Sequence, residues 1–257
     1  MQNKRPYALS IAGFDPSAGA GLLADIKTFE CNEVYGLGVV SALTWQNDIE
    51  FNKVEWIDTH KIISQIEILL SRFEIKYIKI GLIENLNVLQ QIVAYLHKEI
   101  TEPIIIFDPI LKASAGFVFH SIQNNDLIQQ LLKGLYCITP NIPESNALFG
   151  EDYLEKKLLE ISTDINIYLK GGHARNSIVE DLLYSNKTIF TFANTRIEGG
   201  EKHGSGCILS AALLAQLALG NSLNIAAQKA KEYTWQALAS NSSLLAYHTK
   251  TRTHETN

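Results

Sequence analysis

The residues best suited to chemistry stand in short polar or glycine-rich segments of the chain. One segment places two glycines between a histidine and a cysteine, and an apolar stretch of helical length follows it: His203, Gly204, Ser205, Gly206 and Cys207. The glycines let several backbone N–H groups point at one spot, and the helix N-terminus adds the positive end of its dipole. Such an arrangement would stabilise a phosphoryl group during transfer. A glycine-rich helix start without a ligand is the alternative, and this motif alone leaves both open.

Cys207 would occupy the first turn of the following helix. The positive end of the helix dipole lowers the pKa of a thiol in that place, so we expect a thiolate near neutral pH that serves as a base or nucleophile. A lone cysteine is more commonly a small buried apolar side chain, and its position alone favours that second interpretation.

Three further polar residues follow apolar runs of strand length. Asp108 and Glu144 carry carboxylates, whose oxygens are suited to Mg²⁺. Lys170 precedes two glycines, where a lysine could reach a phosphate. Each also has a structural interpretation. Asp108 would cap the next segment, Glu144 would be an acidic residue in a first helical turn, and Lys170 would be an exposed lysine at a turn.

Other well-known site patterns are missing from the sequence. No G-x-x-x-x-G-K-[ST] segment occurs, and the glycines of residues 13–21 lack the G-x-G-x-x-G spacing of dinucleotide loops. The three cysteines, Cys31, Cys137 and Cys207, are widely separated and form no C-x-x-C pair. This argues against zinc and disulfides and fits a reducing cytosol.

Alternating strands and helices must position these segments. We predict strands at 7–12, 37–43, 77–80, 104–107, 136–139 and 166–169, a hairpin at 182–192, and helices at 22–33, 60–73, 88–98, 208–219 and 225–240. This alternation predicts a three-layer α/β/α fold with a mostly parallel central sheet and helices on both faces. Ligands of such sheets bind beyond the carboxyl ends of the strands, where the polar segments fall.

Length, charge and hydropathy limit the class of protein. The 257 residues suffice for one large domain, and we expect a single domain at 1–257 with a flexible tail at 249–257. A net charge of -5 argues against a nucleic-acid partner, because proteins that bind phosphate backbones usually carry a basic face. No apolar run is long enough for a membrane span or a signal peptide, so we expect a cytoplasmic protein.

The order of the segments resembles that of hydroxymethylpyrimidine kinases, a family of the ribokinase-like superfamily. The matching segments are IAGFDPSAGAG at 11–21, ADIKTF at 24–29, ALTWQN at 42–47, KIGL at 79–82, DPIL at 108–111, TPNIPE at 139–144, KGGH at 170–173 and HGSGC at 203–207. The resemblance implies a ribokinase-like fold, ATP and Mg²⁺ as cofactors and a small pyrimidine as substrate. We also expect a homodimer.

The resemblance implies roles for individual residues as well. Positions that bind the substrate in the family correspond to Gly13, Asp25, Gln46 and Leu82. Glu144, and more loosely Asp108, match the magnesium region. Cys207 matches the catalytic base. ATP contacts and the anion hole that assists catalysis correspond to Lys170, His203, Gly204, Ser205 and Gly206.

Some positions depart from the family pattern. Leu82 stands in place of a methionine, which nearly conserves volume, and Ser205 in place of a threonine, which keeps the hydroxyl. Gly200-Glu201-Lys202 replaces the usual Lys-Asn-Thr before the histidine, so the nucleotide contacts expected there change.

The implied reaction moves the γ-phosphoryl group of ATP to the hydroxymethyl group of 4-amino-5-hydroxymethyl-2-methylpyrimidine, and then phosphorylates the monophosphate, in thiamin synthesis. A pyridoxal or pyridoxine kinase on the same scaffold is the nearest rival. Gln46 argues against it, because an amide pairs with an aminopyrimidine edge as both donor and acceptor. The rival from another class is a non-catalytic pyrimidine-binding regulatory protein, against which Glu144, Lys170 and Cys207 argue.

Overall fold

A computed structural model describes residues 4–110, 125–151, 154–172 and 177–250 of the chain. Its strands are β1 (Tyr7–Phe14), β2 (Tyr35–Gln46), β3 (Phe51–Trp56), β4 (Tyr77–Ile80), β5 (Ile104–Phe107), β6 (Cys137–Ile138), β7 (Asn166–Leu169), β8 (Ile178–Ser185) and β9 (Thr188–Thr195). Its helices are α1 (Gly21–Cys31), α2 (Thr59–Leu70), α3 (Leu86–Glu99), α4 (Asn125–Leu132), α5 (Ile142–Phe149), α6 (Leu154–Ile161), α7 (Ser205–Ala218) and α8 (Leu223–Leu238).

All these strands form one sheet in the order β3-β2-β1-β4-β5-β6-β7-β8-β9. The six strands from β2 to β7 in that order pair in parallel, while β3 and the hairpin β8–β9 add antiparallel edges. The predicted mostly parallel α/β/α fold is therefore confirmed, and the carboxyl ends of the six parallel strands meet at one edge of the sheet.

Two buried clusters cover the two faces of the sheet, because successive strand residues point to opposite sides. In β5, Ile105 and Phe107 face one cluster and Ile106 faces the other; in β7, Tyr168 is likewise opposite its neighbours. Helices α2 to α6 pack on the first face, and α1, α7 and α8 pack on the second. Helix α7 is buried along nearly its whole length, which fixes the residues at its N-terminus against the sheet.

Four elements are missing from the predicted set. Strand β3 carries charged residues such as Lys53 and Glu55 on its exposed face, so it lacks the apolar signal of a core strand. Helices α4, α5 and α6 have only eight residues each, too short for a clear helical period. The prediction of a flexible tail concerns 249–257, of which the structure describes only the first two residues. None of the helices described is long and apolar enough to cross a membrane.

Candidate active site

A cavity of about 770 Å³ lies beyond the carboxyl ends of the parallel strands. This volume falls within the usual range for small-molecule sites. Every residue predicted for the site except Asp25 lines the cavity: Gly13, Gln46, Leu82, Asp108, Glu144, Lys170, His203, Gly204, Ser205, Gly206 and Cys207. The fold thus brings together residues that lie far apart in the sequence.

The glycine loop before α7 depends on close backbone contacts. Gly204 has φ +76°, the left-handed region that glycine tolerates, and a Cβ at this position would lie 2.1 Å from the backbone O of Gly19. A Cβ at Gly206 would lie 3.2 Å from Nζ of Lys170. The two glycines therefore let the start of α7 approach both the loop after β1 and the lysine, and the N–H groups of the first turn face the cavity.

The loop after β1 is organised by Asp15, a residue that sequence reasoning did not single out. Its carboxylate accepts hydrogen bonds from the backbone N of Ser17 (2.9 Å) and of Ala20 (2.8 Å), and it contacts Nε2 of His203 at 2.9 Å. Burial alone would raise the pKa of Asp15, but these hydrogen bonds hold the pKa below its usual value. The Asp15–His203 contact joins this loop to the glycine loop.

Cys207 lies in the first turn of α7, buried at the floor of the cavity. Burial raises the pKa of its thiol to about 11, although Lys79 below it and the backbone N–H of Gly21 favour the thiolate. This raised pKa, whose largest cause is burial, does not agree with the thiolate near neutral pH that the helix N-terminus led us to expect.

One end of the cavity is suited to a flat polar ring. Oγ1 of Thr44 donates to the backbone O of Phe14 (2.8 Å), so it accepts from Nε2 of Gln46 (2.9 Å) and fixes the orientation of the amide. Among the described residues the amide of Gln46 has no second hydrogen-bond partner, so one N–H and Oε1 are available to a ligand. Leu82 packs over Gly13, where a Cβ would lie 2.9 Å from Cδ2 of the leucine. This end therefore offers a donor, an acceptor and an apolar surface.

Two carboxylates and one lysine meet beside the first turn of α7. Nζ of Lys170 lies 2.8 Å from Oδ1 of Asp108 and 3.6 Å from Oε2 of Glu144. Thr139 and Ser210 donate to Asp108 at 3.0 Å and 3.1 Å. Burial opposes both charges, but the carboxylates raise the pKa of Lys170, and the lysine holds the pKa of Asp108 below its usual value. The trio is a charged, hydrogen-bonded group.

Glu144 also has the structural role considered above as an alternative, that of an acidic residue in a first helical turn. Asn141 caps α5, and the two residues form a capping box: Asn141 Oδ1 accepts from Glu144 N at 2.8 Å, and Glu144 Oε2 accepts from Asn141 N at 2.7 Å. Burial raises the pKa of Glu144 more than Lys170 lowers it. The capping box fixes the carboxylate. Because Glu144 also lies on the cavity wall, the capping role and a role as a magnesium ligand are compatible.

The structure does not place Asp25 on the cavity wall. Its side chain is fully buried in α1, where Oδ1 lies 2.5 Å from Nζ of Lys79 and Oδ2 accepts from Ser10 Oγ at 2.6 Å. Both oxygens are engaged beneath the floor of the site, so direct hydrogen bonding to a substrate, which the resemblance implied, does not fit this geometry. The sequence did contain a signal for this pairing. Lys79 stands in the short strand β4, and a lysine amid buried apolar residues requires a carboxylate partner.

A second ion pair supports the turn after Lys170. Oδ1 of Asp181 accepts from the backbone N of Gly171 at 2.8 Å, and Oδ2 lies 2.9 Å from Nζ of Lys231 and accepts from Tyr168 at 3.0 Å. A Cβ at Gly171 would lie 1.7 Å from the backbone O of Glu180, so only glycine fits there. Asp181 and Lys231 line the cavity but carry no motif that sequence reasoning could use. His173, the last residue of the matching segment, lies outside the described residues.

The carboxylates can be tested as part of a Mg²⁺ site. Asp108 and Glu144 both lie beside Nζ of Lys170 on the cavity wall. Of the two side-chain oxygens of Glu144, hydrogen bonds among the described residues engage only Oε2. In that part of the chain no three His, Cys, Asp or Glu side chains are grouped to hold a metal by themselves. This donor set fits Mg²⁺ bound through one or two carboxylates together with phosphates and water.

The fold and the polar loops at the carboxyl edge of its sheet define a small-molecule kinase of the ribokinase type. The chain belongs to the phosphomethylpyrimidine kinase family, whose sequence model matches residues 15–252. A hydroxymethylpyrimidine/phosphomethylpyrimidine kinase of Aquifex aeolicus is 32% identical over 246 residues, which cover 92% of this chain and 96% of that protein. The resemblance predicted from the motifs is thus confirmed.

Solved structures agree with this assignment. The phosphomethylpyrimidine kinase of Clostridium difficile superposes with a TM-score of 0.74 at 28% identity, covering 91% of this chain and all of that one (100%). The pyridoxal kinase of Staphylococcus aureus in complex with AMP-PCP and pyridoxal superposes with a TM-score of 0.80 at 26% identity, covering 93% and 89%. Similar architecture therefore serves both substrate classes, and side chains must separate them.

Proposed function

We propose that this protein transfers the γ-phosphoryl group of ATP to the hydroxymethyl group of 4-amino-5-hydroxymethyl-2-methylpyrimidine, and then to the phosphate of the product, in thiamin biosynthesis. One observation carries the proposal. A single cavity is lined by Gln46, by Cys207 and by the group of Lys170, Asp108 and Glu144. A ring held by Gln46 and phosphates held by Lys170 would then occupy the same cavity as the thiol of Cys207.

The glycine loop and Lys170 hold the group in transfer. The first N–H groups of α7 and the ammonium of Lys170 converge where charge develops on the phosphoryl oxygens. Asp15 and His203 keep this loop against the loop after β1. The chain therefore contributes position and fixed positive charge, which are the main requirements of phosphoryl transfer.

Cys207 accepts the proton of the attacking hydroxyl in the first step. Only the thiolate can do so, and burial, which raises the pKa of the thiol to about 11, keeps its population small at neutral pH. Lys79 supplies the nearby positive charge that stabilises the thiolate. In the second step the acceptor is a phosphate oxygen that is largely ionised already, so it requires little base assistance.

Asp108 and Glu144 would hold Mg²⁺, which supplies charge neutralisation between the β- and γ-phosphates when ATP binds. The two carboxylates are fixed by Thr139, Ser210 and Asn141, so they do not need to be ordered by the ligand. Lys170 forms ion pairs with both carboxylates, at 2.8 Å and 3.6 Å.

A pyridoxal kinase is the second candidate, favoured by the superposition on the enzyme of Staphylococcus aureus. The hydrogen bond from Gln46 to Thr44 argues for the pyrimidine, because it leaves a donor and an acceptor side by side. An aminopyrimidine presents the complementary acceptor and donor on adjacent atoms, whereas pyridoxal has no amino group beside its ring nitrogen.

Three broader features belong to the same proposal. The whole chain, residues 1–257, would form one kinase domain, supported by the single sheet. The protein would act in the cytoplasm, supported by its three free cysteines Cys31, Cys137 and Cys207. It would be a homodimer, for which light scattering coupled to gel filtration is the direct measurement.

The test is product analysis with ATP, Mg²⁺ and either the hydroxymethylpyrimidine or pyridoxal. We expect successive appearance of the pyrimidine monophosphate and diphosphate by mass spectrometry, and a kcat/KM for the pyrimidine above that for pyridoxal. Pyridoxal phosphorylation without pyrimidine turnover would establish the second candidate. Tight pyrimidine binding without any product would establish a non-catalytic binding protein.

A further inference from the structure

Lys202 is a buried lysine at the edge of the cavity, immediately before the glycine loop. Its ammonium donates to the backbone O of Asn241 at 2.6 Å, to the backbone O of Ser243, and at 3.5 Å to Oδ1 of Asn241. Among the residues that the structure describes, no carboxylate lies within salt-bridge distance of it. The ammonium therefore meets neutral oxygens only.

This environment differs from that of the other buried lysines. Lys79 pairs with Asp25 at 2.5 Å, and Lys231 pairs with Asp181 at 2.9 Å. A buried charge is costly unless its hydrogen-bonding capacity is satisfied, and an ammonium has three donors. Three oxygens surround Lys202, two of them backbone carbonyls, which are also the groups that bind monovalent cations in proteins. The ammonium of Lys202 therefore stands where a monovalent cation could be held by these oxygens.

The oxygens belong to a segment that we call the clasp, residues 241–245, which follows α8. Besides Lys202, the clasp is joined to the glycine loop by a hydrogen bond from the backbone N of His203 to the O of Leu244, at 2.9 Å. It also packs against the loop after β1: a Cβ at Gly19 would lie 2.7 Å from the side chains of both His203 and Leu245. The clasp thus lies where the two loops that bound the reaction centre meet.

We propose that Lys202 is a positioning residue for phosphoryl transfer, whose ammonium acts as an internal monovalent cation that holds the clasp carbonyls and so fixes the glycine loop. Lys202 precedes Gly204 by two residues, so a shift of its backbone moves the N–H groups at the start of α7. Because no described carboxylate neutralises the ammonium, its charge also adds to the positive field over the phosphates. Only the kinetic test of this role of Lys202 depends on the proposed function.

The experiment compares Lys202→Met and Lys202→Ala. Methionine fills the space without charge, whereas alanine leaves the carbonyl cage open to a small cation. We expect both variants to lose about 10- to 100-fold in kcat, because small displacements of a transfer site reduce rate strongly, while KM for the pyrimidine changes little. Lys229→Ala, which removes an exposed lysine of α8, is the control and should behave as the unmodified protein.

Chemical rescue separates the cation role from simple packing. The atoms missing in Lys202→Ala correspond to n-propylammonium, so this ion should restore kcat several-fold with saturation, and NH₄⁺ or K⁺ to a smaller extent. Tetramethylammonium at the same ionic strength is too large for the cage and should have no effect. Lys202→Met should not respond to any of them, because its side chain occupies the space.

The melting temperature of Lys202→Ala provides a measurement that does not require kinase activity. n-Propylammonium should raise it relative to tetramethylammonium, and should restore a cooperative transition if the variant is unfolded without the amine. Full activity in Lys202→Met, or a deficient Lys202→Ala that n-propylammonium rescues neither in kcat nor in melting, would overturn the proposal. Absence of kinase activity in the unmodified protein would refute the proposed function and leave the melting test valid.

Discussion

Removing the buried ammonium of Lys79 should destabilise the protein strongly. The side chains of Lys79 and Asp25 are fully buried, with Nζ and Oδ1 2.5 Å apart, and within the described ranges the other hydrogen-bond partner of the carboxylate is Ser10. Lys79→Met keeps the bulk of the side chain but leaves a buried carboxylate without a counter-ion. Breaking such a pair on one side costs about 3–5 kcal/mol. For a chain of this size 1 kcal/mol shifts Tm by about 2–4 °C, so we expect Tm to fall by about 6–20 °C.

Thermal and urea unfolding of four variants measure this effect. Asp25→Asn should also destabilise, since it leaves the ammonium unpaired, and the double variant Lys79→Met/Asp25→Asn should recover much of the loss because no net charge stays buried. The matched control is Lys61→Met, whose lysine is exposed and lies 3.4 Å from Asp58. Such a surface pair contributes about 0–1 kcal/mol.

The same pair predicts a pH dependence with a definite sign. Burial raises the pKa of Asp25, and loss of Lys79 removes the largest opposing influence. A carboxyl whose pKa is higher in the folded than in the unfolded state binds its proton more tightly when folded, so the stability of Lys79→Met should rise as the pH falls from 8 towards 5. The double variant should lack this rise.

Two results would refute the reasoning. A loss below about 1 kcal/mol in Lys79→Met would mean that the ion pair contributes no more than a surface pair. Unchanged stability in Asp25→Asn, combined with a raised KM for the pyrimidine, would return Asp25 to the role of a substrate ligand, which the resemblance had implied and the geometry does not support.

Three further predictions concern the cavity wall. Gln46→Ala should weaken pyrimidine binding by about 1–3 kcal/mol in calorimetry and leave ATP binding unchanged. The reverse pattern, weaker ATP binding with unchanged pyrimidine binding, would mean that Gln46 lies in the ATP site. Cys207→Ala should slow the first phosphorylation by about 10²–10⁴-fold and the second much less. Because burial raises the pKa of this thiol to about 11, the first step in the unmodified protein should accelerate as the pH rises from 7 to 9, and equal effects on both steps would contradict a base. Glu144→Gln should raise the Mg²⁺ concentration required for half-maximal rate while its capping of α5 persists, and an unchanged requirement would leave only the capping role.

The sequence predicted the candidate site best where its residues stand in segments that follow strands. The strands at 77–80, 104–107 and 166–169 agree with β4, β5 and β7 to the residue, since each is a short apolar run with clear boundaries. Once these strands are parallel neighbours, the loops after them must meet at one edge. The collinear motifs then locate the cavity wall, because they stand in those loops.

The parts that sequence reasoning could not supply are set by contacts between distant residues. The pKa of Cys207 is raised by burial and lowered by Lys79 and the backbone N–H of Gly21, which are both distant in sequence. Asp25 matches a substrate position by motif, yet Lys79, 54 residues away, takes its carboxylate. The partners of Lys202 lie about 40 residues further along the chain, with separations of 39 and 41. No local pattern carries any of these pairings.

The charges of the cavity suit the exchange of partners that the proposed function requires. Lys170 lies within ion-pair distance of both Asp108 and Glu144, so no charge of this cluster is buried without a partner of opposite sign. On the proposed function, phosphates compete for the ammonium of Lys170 because they carry more negative charge than the two carboxylates offer. The carboxylates that lose the lysine are then available to the cation that accompanies ATP. Each group exchanges one partner of opposite charge for another, and Gly206 keeps room for Lys170 to move between them, since a Cβ there would lie 3.2 Å from Nζ.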